Sequence, residues 1–425
     1  MSAELISILA LVVIFVIATT LSVNMGAIAF AGAFLVGTLA GGLDADGIFA
    51  GFPTSIFAVL VGVTYLFAIA RANGTTDWLV AAAVRLVGGR VALIPWVMFV
   101  ITGALTAIGA VSPAACAVVA PIALGFAARY NISPLLMGAM VVHGAQGGGF
   151  SPISVYGSIV NGIVDSEGLE SSPVTLFLAS LGMNTAIAAV LFVVLGGTKL
   201  RRRELVRTGA GDTEPADDPL PHEQRIPLDL PKIATLVGLV ALVVSTLVFD
   251  LDPGLTAITV AVVLSVLWPS SSRKAVNEIT WPTVLLICGV LTYVGVLQEI
   301  GTIDYVGNAV SDVGVPLLAA LLLCYIGGIV SAFASSVGLM GALIPLAVPF
   351  LAQGTIGPIG MIAALAVSAT MVDVSPFSTN GALVLANAKD VDRDRFFRQL
   401  LVYGGIVVAA APLVAWLVFV VPGWG

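Results

Sequence analysis

The sequence predicts an all-α polytopic membrane protein built from two inverted-topology repeats, and three observations predict it. First, 59% of the 425 residues are hydrophobic and only 10% are charged, with a mean hydropathy of +1.10, whereas soluble domains carry about 25% charged residues. A soluble core cannot absorb that much apolar side chain, so lipid must solvate most of the chain. Second, charge-free stretches of the ~20 residues needed to cross a bilayer recur from end to end. Third, the second half repeats the first: adding 224 to positions 103–157 aligns them with 327–381 without a gap, and 16 of the 55 positions are identical. The matches include Ser112/Ser336, Pro121/Pro345, Pro134/Pro358, Ser151/Ser375, Pro152/Pro376, Ser154/Ser378 and Gly157/Gly381. This composition excludes a soluble enzyme, a nucleic-acid binder and a secreted disulfide scaffold. Cys116, Cys288 and Cys324 lie far apart in apolar stretches and only two His are present, so neither a disulfide framework, a structural metal nor a cofactor is expected.

The first repeat is assigned to 1–198. Its apolar stretches begin at 5–22, which no basic segment precedes and which is therefore read as a span rather than a cleaved leader. Stretches 25–42 and 53–70 follow. Segment 75–90 reads as an amphipathic arm on the membrane surface. Its start, Gly74-Thr75-Thr76-Asp77-Trp78, matches Gly301-Thr302-Ile303-Asp304-Tyr305 in the second half, where 301–314 forms the corresponding arm. The next stretch, 91–131, is charge-free over 91–128, nearly twice the spanning length, with Ser112-Pro113 at its middle. It must fold back on itself as a re-entrant hairpin. Stretch 134–164 is interrupted at Gly147-Gly148-Gly149-Phe150-Ser151-Pro152, and 174–198 closes the repeat. Segment 199–232, with Lys199, Arg201, Arg202, Arg203, several acids and several prolines, is a solvated linker. The second repeat, 233–425, has stretches 233–249, 255–269 and 281–298, a hairpin at 315–352 with Ser335-Ser336 at its middle, a stretch at 357–388 interrupted at Asp373-Val374-Ser375-Pro376, and a last span at 399–421.

Topology follows from the basic residues. With the 199–232 linker in the cytoplasm and each hairpin returning to its own side, all 17 Lys and Arg fall inside. The outer loops carry acids such as Asp44, Asp46, Asp165, Glu167, Asp250 and Asp304, so the positive-inside rule is obeyed throughout. Each half then has five spans and one hairpin. Five is odd, so the second half is inverted relative to the first, both termini are external, and the plasma membrane is the expected location. Charge parity alone does not distinguish a re-entrant hairpin from two full spans. Trp78, Trp281 and Trp416, near span ends, read as interfacial anchors.

Inverted repeats with interrupted helices mark secondary transporters, whose sites lie near the midplane where the repeats meet. Glycine permits unwinding and proline removes a backbone donor, so both stretches break. The freed N–H and C=O groups cannot face lipid. Carbonyls at a half-helix C-terminus suit a cation and amides at an N-terminus suit an anion. Gly148, Gly149, Ser151, Asp373 and Ser375 are the candidates for cation coupling. Ser112, Ser151, Ser154, Ser335, Ser336, Ser378, Thr379 and Asn380 are the candidates for substrate binding. The alternative is that these segments are kinks packed against neighbours. Asp373 is the one charged side chain well inside a span, and such charges are costly. It is either a coupling carboxylate, holding a metal ion such as a transient Na+ or a proton, or a cap on the half-helix starting near Pro376. His143, eight residues before Ser151, is either a proton relay or a helix histidine bonded to a neighbouring carbonyl.

These residues resemble the divalent anion/sodium symporters of the ion transporter superfamily, and among them the MatC-type malonate and dicarboxylate carriers. In that family each hairpin tip carries a Ser-Asn-Thr-type signature. Here the tips read Ser112-Pro113-Ala114 and Ser335-Ser336-Val337. The family's broken helices carry Gly-rich, Thr-Pro-type loops ending in Pro-Asn; Gly148-Gly149-Phe150-Ser151-Pro152-Ile153 and Ser375-Pro376-Phe377-Ser378-Thr379-Asn380 are degenerate versions. The resemblance implies a homodimer with scaffold and transport domains, an elevator-like motion, and uptake of a small dianion coupled to Na+ or H+. A sodium/proton antiporter or an inorganic-anion permease on the same architecture is the alternative within transport. An intramembrane enzyme using Ser151 and His143 is the alternative from another class. The two residues sit two turns apart on a helix that breaks between them, and no hydrolase or pump motif appears, so no enzyme is expected.

Overall fold

The structure, a computed structural model, describes residues 2–21, 23–85, 90–198, 200, 227–303, 305, 316–332, 336–351, 354, 356–388 and 392–423. Every regular element among them is helical. In the first half these are α1 (Ala3–Thr20), α2 (Met25–Leu39), the short α3 (Ala45–Phe49), α4 (Thr54–Ala72), α5 (Thr75–Arg85), α6 (Ile94–Ala107), α7 (Ser112–Tyr130), α8 (Pro134–Gly148), α9 (Val155–Ser166) and α10 (Pro173–Val194). In the second half they are α11 (Leu230–Phe249), α12 (Pro253–Leu267), α13 (Trp281–Glu299), α14 (Pro316–Ser331), α15 (Ser336–Leu351), α16 (Pro358–Met371), α17 (Thr379–Ala386) and α18 (Arg393–Ala415), which runs on into a π-helical turn, Trp416–Val420. Seven segments among the described residues are long and apolar enough to cross a membrane.

Local chemistry sets the boundaries. Ser133, Ser172 and Asp252 cap α8, α10 and α12 through side-chain oxygens, each with proline in the first turn of the helix it caps. Proline there gives up an N–H that has no helical partner anyway. Both charge-free stretches of double length fold back as helical pairs, α6–α7 and α14–α15. The first turn is sharp at Gly109, where φ is +118° and a Cβ would lie 2.4 Å from Val63 Cγ1. A side chain is excluded there on both counts. The second tip at 333–335, most of the 199–232 linker, and the arm at 301–314 apart from 301–303 and 305 lie outside the described residues. Short α3 is an element the apolar pattern does not announce.

Packing exchanges partners between the halves. Helix α2 lies against α13, and α4 against α12. Both crossings are closed by glycines: a Cβ on Gly289 would come within 2.0 Å of the Gly26 carbonyl oxygen, and one on Gly62 within 2.3 Å of that of Gly254. Small residues let helix backbones touch where lipid gives no hydrophobic drive. On the other side of the molecule α6 and α7 embrace α8, α14 and α15 embrace α16, and α10 and α18 back them. Helix α7 then reaches α17, and α15 reaches α9. Residues 358–386 form the most buried of the seven spanning segments, 89% buried over its most apolar window, so the second break sits at the centre of the protein.

Candidate functional site

Both breaks close by one device. After α8, Ser154 Oγ donates to the carbonyls of Gly149 (2.5 Å) and Ser151 (2.6 Å) and accepts from Gly157 N–H (3.1 Å). After α16, Ser378 Oγ donates to the carbonyls of Asp373 (2.5 Å) and Ser375 (2.7 Å) and accepts from Gly381 N–H (3.3 Å). Each serine is thus the N-cap of the following half-helix, α9 or α17, and ties down two carbonyls freed by the break. Gly157 and Gly381 are required because a Cβ on either would sit 2.0 Å from the carbonyl oxygen of Ser151 or Ser375.

Asp373 therefore does not cap the half-helix. That helix starts at Thr379, not near Pro376, and Ser378 caps it. The Asp373 carboxylate instead accepts from two side chains: Oδ1 from Ser336 Oγ and Oδ2 from Gln146 Nε2, each at 2.7 Å. Ser336 opens α15 at the second hairpin tip, and Gln146 lies in the last turn of α8. One carboxylate thus joins the second hairpin, the second break and the helix preceding the first break. Asp373 is 5% exposed. The ion pairs among the described residues are Arg71–Glu278 and Lys232–Asp229, so no cation of the chain neutralises Asp373 there. A buried carboxylate without a counter-charge is held either protonated or with a bound cation.

The first hairpin tip meets the second break directly, through Asn380 Nδ2 donating to Ser112 Oγ at 2.8 Å. Asn380 Oδ1 and Gln146 Oε1 are buried acceptors without a partner. The Asp373 carboxylate and these unpaired amide oxygens are all oxygen donors, a chemistry that suits a hard cation rather than a transition metal. No cluster of three or more His, Cys, Asp or Glu occurs among the described residues.

The remaining candidates separate. Ser151, Ser154, Ser375 and Ser378 are buried in the breaks, whereas Thr379 points outward and is exposed. Gly148 serves packing: a Cβ there would lie 1.9 Å from the Gly103 carbonyl oxygen of α6. Gly149 lies in the break, where an added Cβ would be 3.3 Å from Tyr156 Cδ2. Ser335 lies outside the described residues. His143 touches neither Ser151 nor Asp373. Its Nδ1 bonds Asn184 Oδ1 of α10 at 2.7 Å, and its Nε2 bonds the Tyr403 hydroxyl of α18. The Asn184 contact is a bond to a neighbour's side-chain carbonyl, the alternative to a proton relay, and the Tyr403 contact is additional to it. His143 ends a buried chain in which Asn184 Nδ2 donates to the Ser180 carbonyl and Ser180 Oγ donates to the Gln146 carbonyl, each at 2.9 Å. Gln146, Asn184 and Tyr403 are the residues sequence reasoning passes over. The available signal for Gln146 was an amide in a charge-free stretch, immediately before the glycine run.

The family profile described as the dicarboxylate carrier protein MatC N-terminus matches residues 1–149. No curated protein sequence matches the chain. Twenty-one chains of solved structures match the fold. One is the crystal structure of the Alcanivorax borkumensis YdaH transporter, reported to reveal an unusual topology; it is 16% identical, spans 88% of this chain and 89% of that chain, and superposes with a TM-score of 0.57. At that identity the likeness is one of fold.

Proposed function

We propose that this chain is a secondary active transporter that carries a small dicarboxylate, such as malonate, malate or succinate, across the plasma membrane in symport with Na+ or H+. The dicarboxylate is supported by the MatC N-terminus match over 1–149. Transport is supported by the spanning helices and by the fold shared with a transporter. The observation that carries the coupling is Asp373, buried, bonded by Ser336 and Gln146, and without a basic partner among the described residues.

The mechanism follows from charge. Among the described residues no Lys or Arg pairs with Asp373. The charge of a bound dianion must be offset by a cation on the Asp373 oxygens and by the helix N-termini at Ser112, Ser336, Val155 and Thr379. Cation and substrate then bind in one thermodynamic unit, each raising the affinity for the other. The exchanged pairing α2–α13 and α4–α12, with glycines at matching places, supports an inverted repeat whose crossing helices are the scaffold. The hairpins, broken helices, α10 and α18 would move against it as an elevator, two copies forming a homodimer. Both termini are external and the 199–232 linker is cytoplasmic in this reading.

The test is uptake of a labelled dicarboxylate panel into proteoliposomes, with and without sodium and proton gradients. Concentrative uptake under either gradient is expected. Sodium–proton exchange without any dicarboxylate flux would instead support an antiporter, and flux of sulfate or phosphate an inorganic-anion permease.

A further inference from the structure

Against the first hairpin tip lies a small cleft of about 70 Å³, lined by Val111 and Ala114 but not by Asn380. Its walls come from five separate segments, one of them α6 through Leu105. Thr64 and Arg71 belong to α4, Thr76 to the first turn of α5, Ala114 to the first turn of α7, and Glu278 and Thr280 to the segment entering α13. Two features set it apart from a packing gap. The hydroxyl of Thr76, a residue 6% exposed, is buried without any hydrogen-bond partner. At the mouth, Arg71 Nη2 holds Glu278 Oε2 at 2.8 Å, with both side chains nearly half exposed.

We infer that this cleft is a second anion subsite, a vestibule on the cytoplasmic side of the hairpin tip in which Arg71 takes a carboxylate of the dicarboxylate as it leaves the tip. The inference rests on the proposed transport of a dicarboxylate. Among the described residues, Arg71 is the one basic residue lining the cleft. Its guanidinium has a fork that matches a carboxylate, and among the described residues it makes one hydrogen bond, to Glu278. An exposed ion pair of this kind contributes little, so a substrate carboxylate exchanges with Glu278 at small cost. Thr76 supplies an unused hydroxyl donor for the same anion, and Thr280 lines the opposite wall. Asp77 in the same helical turn is exposed and does not line the cleft. The volume suits a compound of a few heavy atoms and is far below the roughly 300–1,000 Å³ of sites for drug-sized ligands. The hairpin tip is the partition: Ala114 faces the cleft, while Ser112, two residues earlier, bonds Asn380 on the site side.

The test uses the full chain in liposomes, with Ala114→Cys placed in a background where Cys116, Cys288 and Cys324 are replaced. The rate of modification by a small thiosulfonate is measured against succinate concentration, alongside succinate uptake. Succinate is expected to protect. Arg71→Gln should raise the half-protecting concentration about tenfold, whereas Glu278→Gln, which removes the competing carboxylate, should lower it severalfold. If the pair merely ties α4 to the segment before α13, both variants shift protection in the same direction, and the subsite is overturned. Uptake without protection also overturns the subsite and leaves the transport reading standing. Protection without uptake removes the transport reading and leaves the subsite. Absence of both removes both.

Discussion

In the break after α8, a serine hydroxyl holds the carbonyls of residues 149 and 151 and caps the half-helix that follows; in the break after α16, a serine 224 positions later does the same for 373 and 375. Glycine three residues beyond each serine lies against the same carbonyl. What differs is the residue at the start of each break: Gly149 in one, Asp373 in the other. Equivalent positions around the breaks differ as well, Tyr156 standing where the second half has Asn380 and Gln146 where it has Thr370. The comparison separates two things a broken helix provides. Its shape is made twice by neutral hydrogen bonds, and its charge is placed once. Both unpaired amide oxygens, on Gln146 and Asn380, belong to the residues that distinguish the halves.

The largest effects should come from changes that attack the shared shape. Gly157→Ala and Gly381→Ala each drive a methyl to 2.0 Å from a carbonyl oxygen, an overlap that costs about 3 kcal/mol or more. Both variants should lose folded protein equally, read by detergent size-exclusion profiles. Loss in only one would break the equivalence of the two sites. Next come changes to what is not shared. Asp373→Asn should fold and purify normally but lose gradient-driven accumulation, while Gly149→Ala, with neighbours no closer than 3.2 Å, should keep most of it. Full accumulation by Asp373→Asn under wild-type gradients would end the coupling role.

A smaller effect is expected of Gln146→Leu, which removes the α8 donor to the carboxylate. The cation concentration for half-maximal uptake should rise about tenfold, in line with the roughly 1.5–3 kcal/mol of a hydrogen bond to a charged group. The counterpart Thr370 bonds within its own helix, to the carbonyls of Ala366 and Val367, so Thr370→Val should leave that concentration unchanged. Ser154→Ala and Ser378→Ala should act least on coupling. Each removes one cap, worth about 1–2 kcal/mol, and the two should lower the melting temperature by similar amounts. A loss of cation dependence in Ser378→Ala alone would sharpen the comparison, showing that its hydroxyl serves Asp373 as well as the cap.

Much of this was legible in the chain. Gly147 to Pro152 and Asp373 to Pro376 announce breaks because unwinding needs glycine and proline, and the helices do end at Gly148 and Met371. Ser112 and Ser336 mark hairpin middles because a charge-free stretch of twice the spanning length must turn somewhere. The role of Asp373 was not legible. From sequence, a carboxylate just before a half-helix reads equally as a cap, and only the position of Ser378 Oγ on Gly381 N–H removes that reading. His143 was open in the same way until Asn184 and Tyr403 were found on its two nitrogens, 41 and 260 residues away.

By itself the sequence determined the solvent, the places where helices break and the fact that the pattern occurs twice. Each of these depends on composition or on neighbours a few residues apart. Only the tertiary structure decided which groups meet: Gln146 with Asp373 across 227 residues, Asn380 with Ser112 across 268, and α2 with α13 through Gly26 and Gly289. A hydrogen bond acts over about 3 Å, whereas the chain between these partners is hundreds of residues long. No local rule of spacing specifies such a meeting, and the helices must first be packed for it to exist.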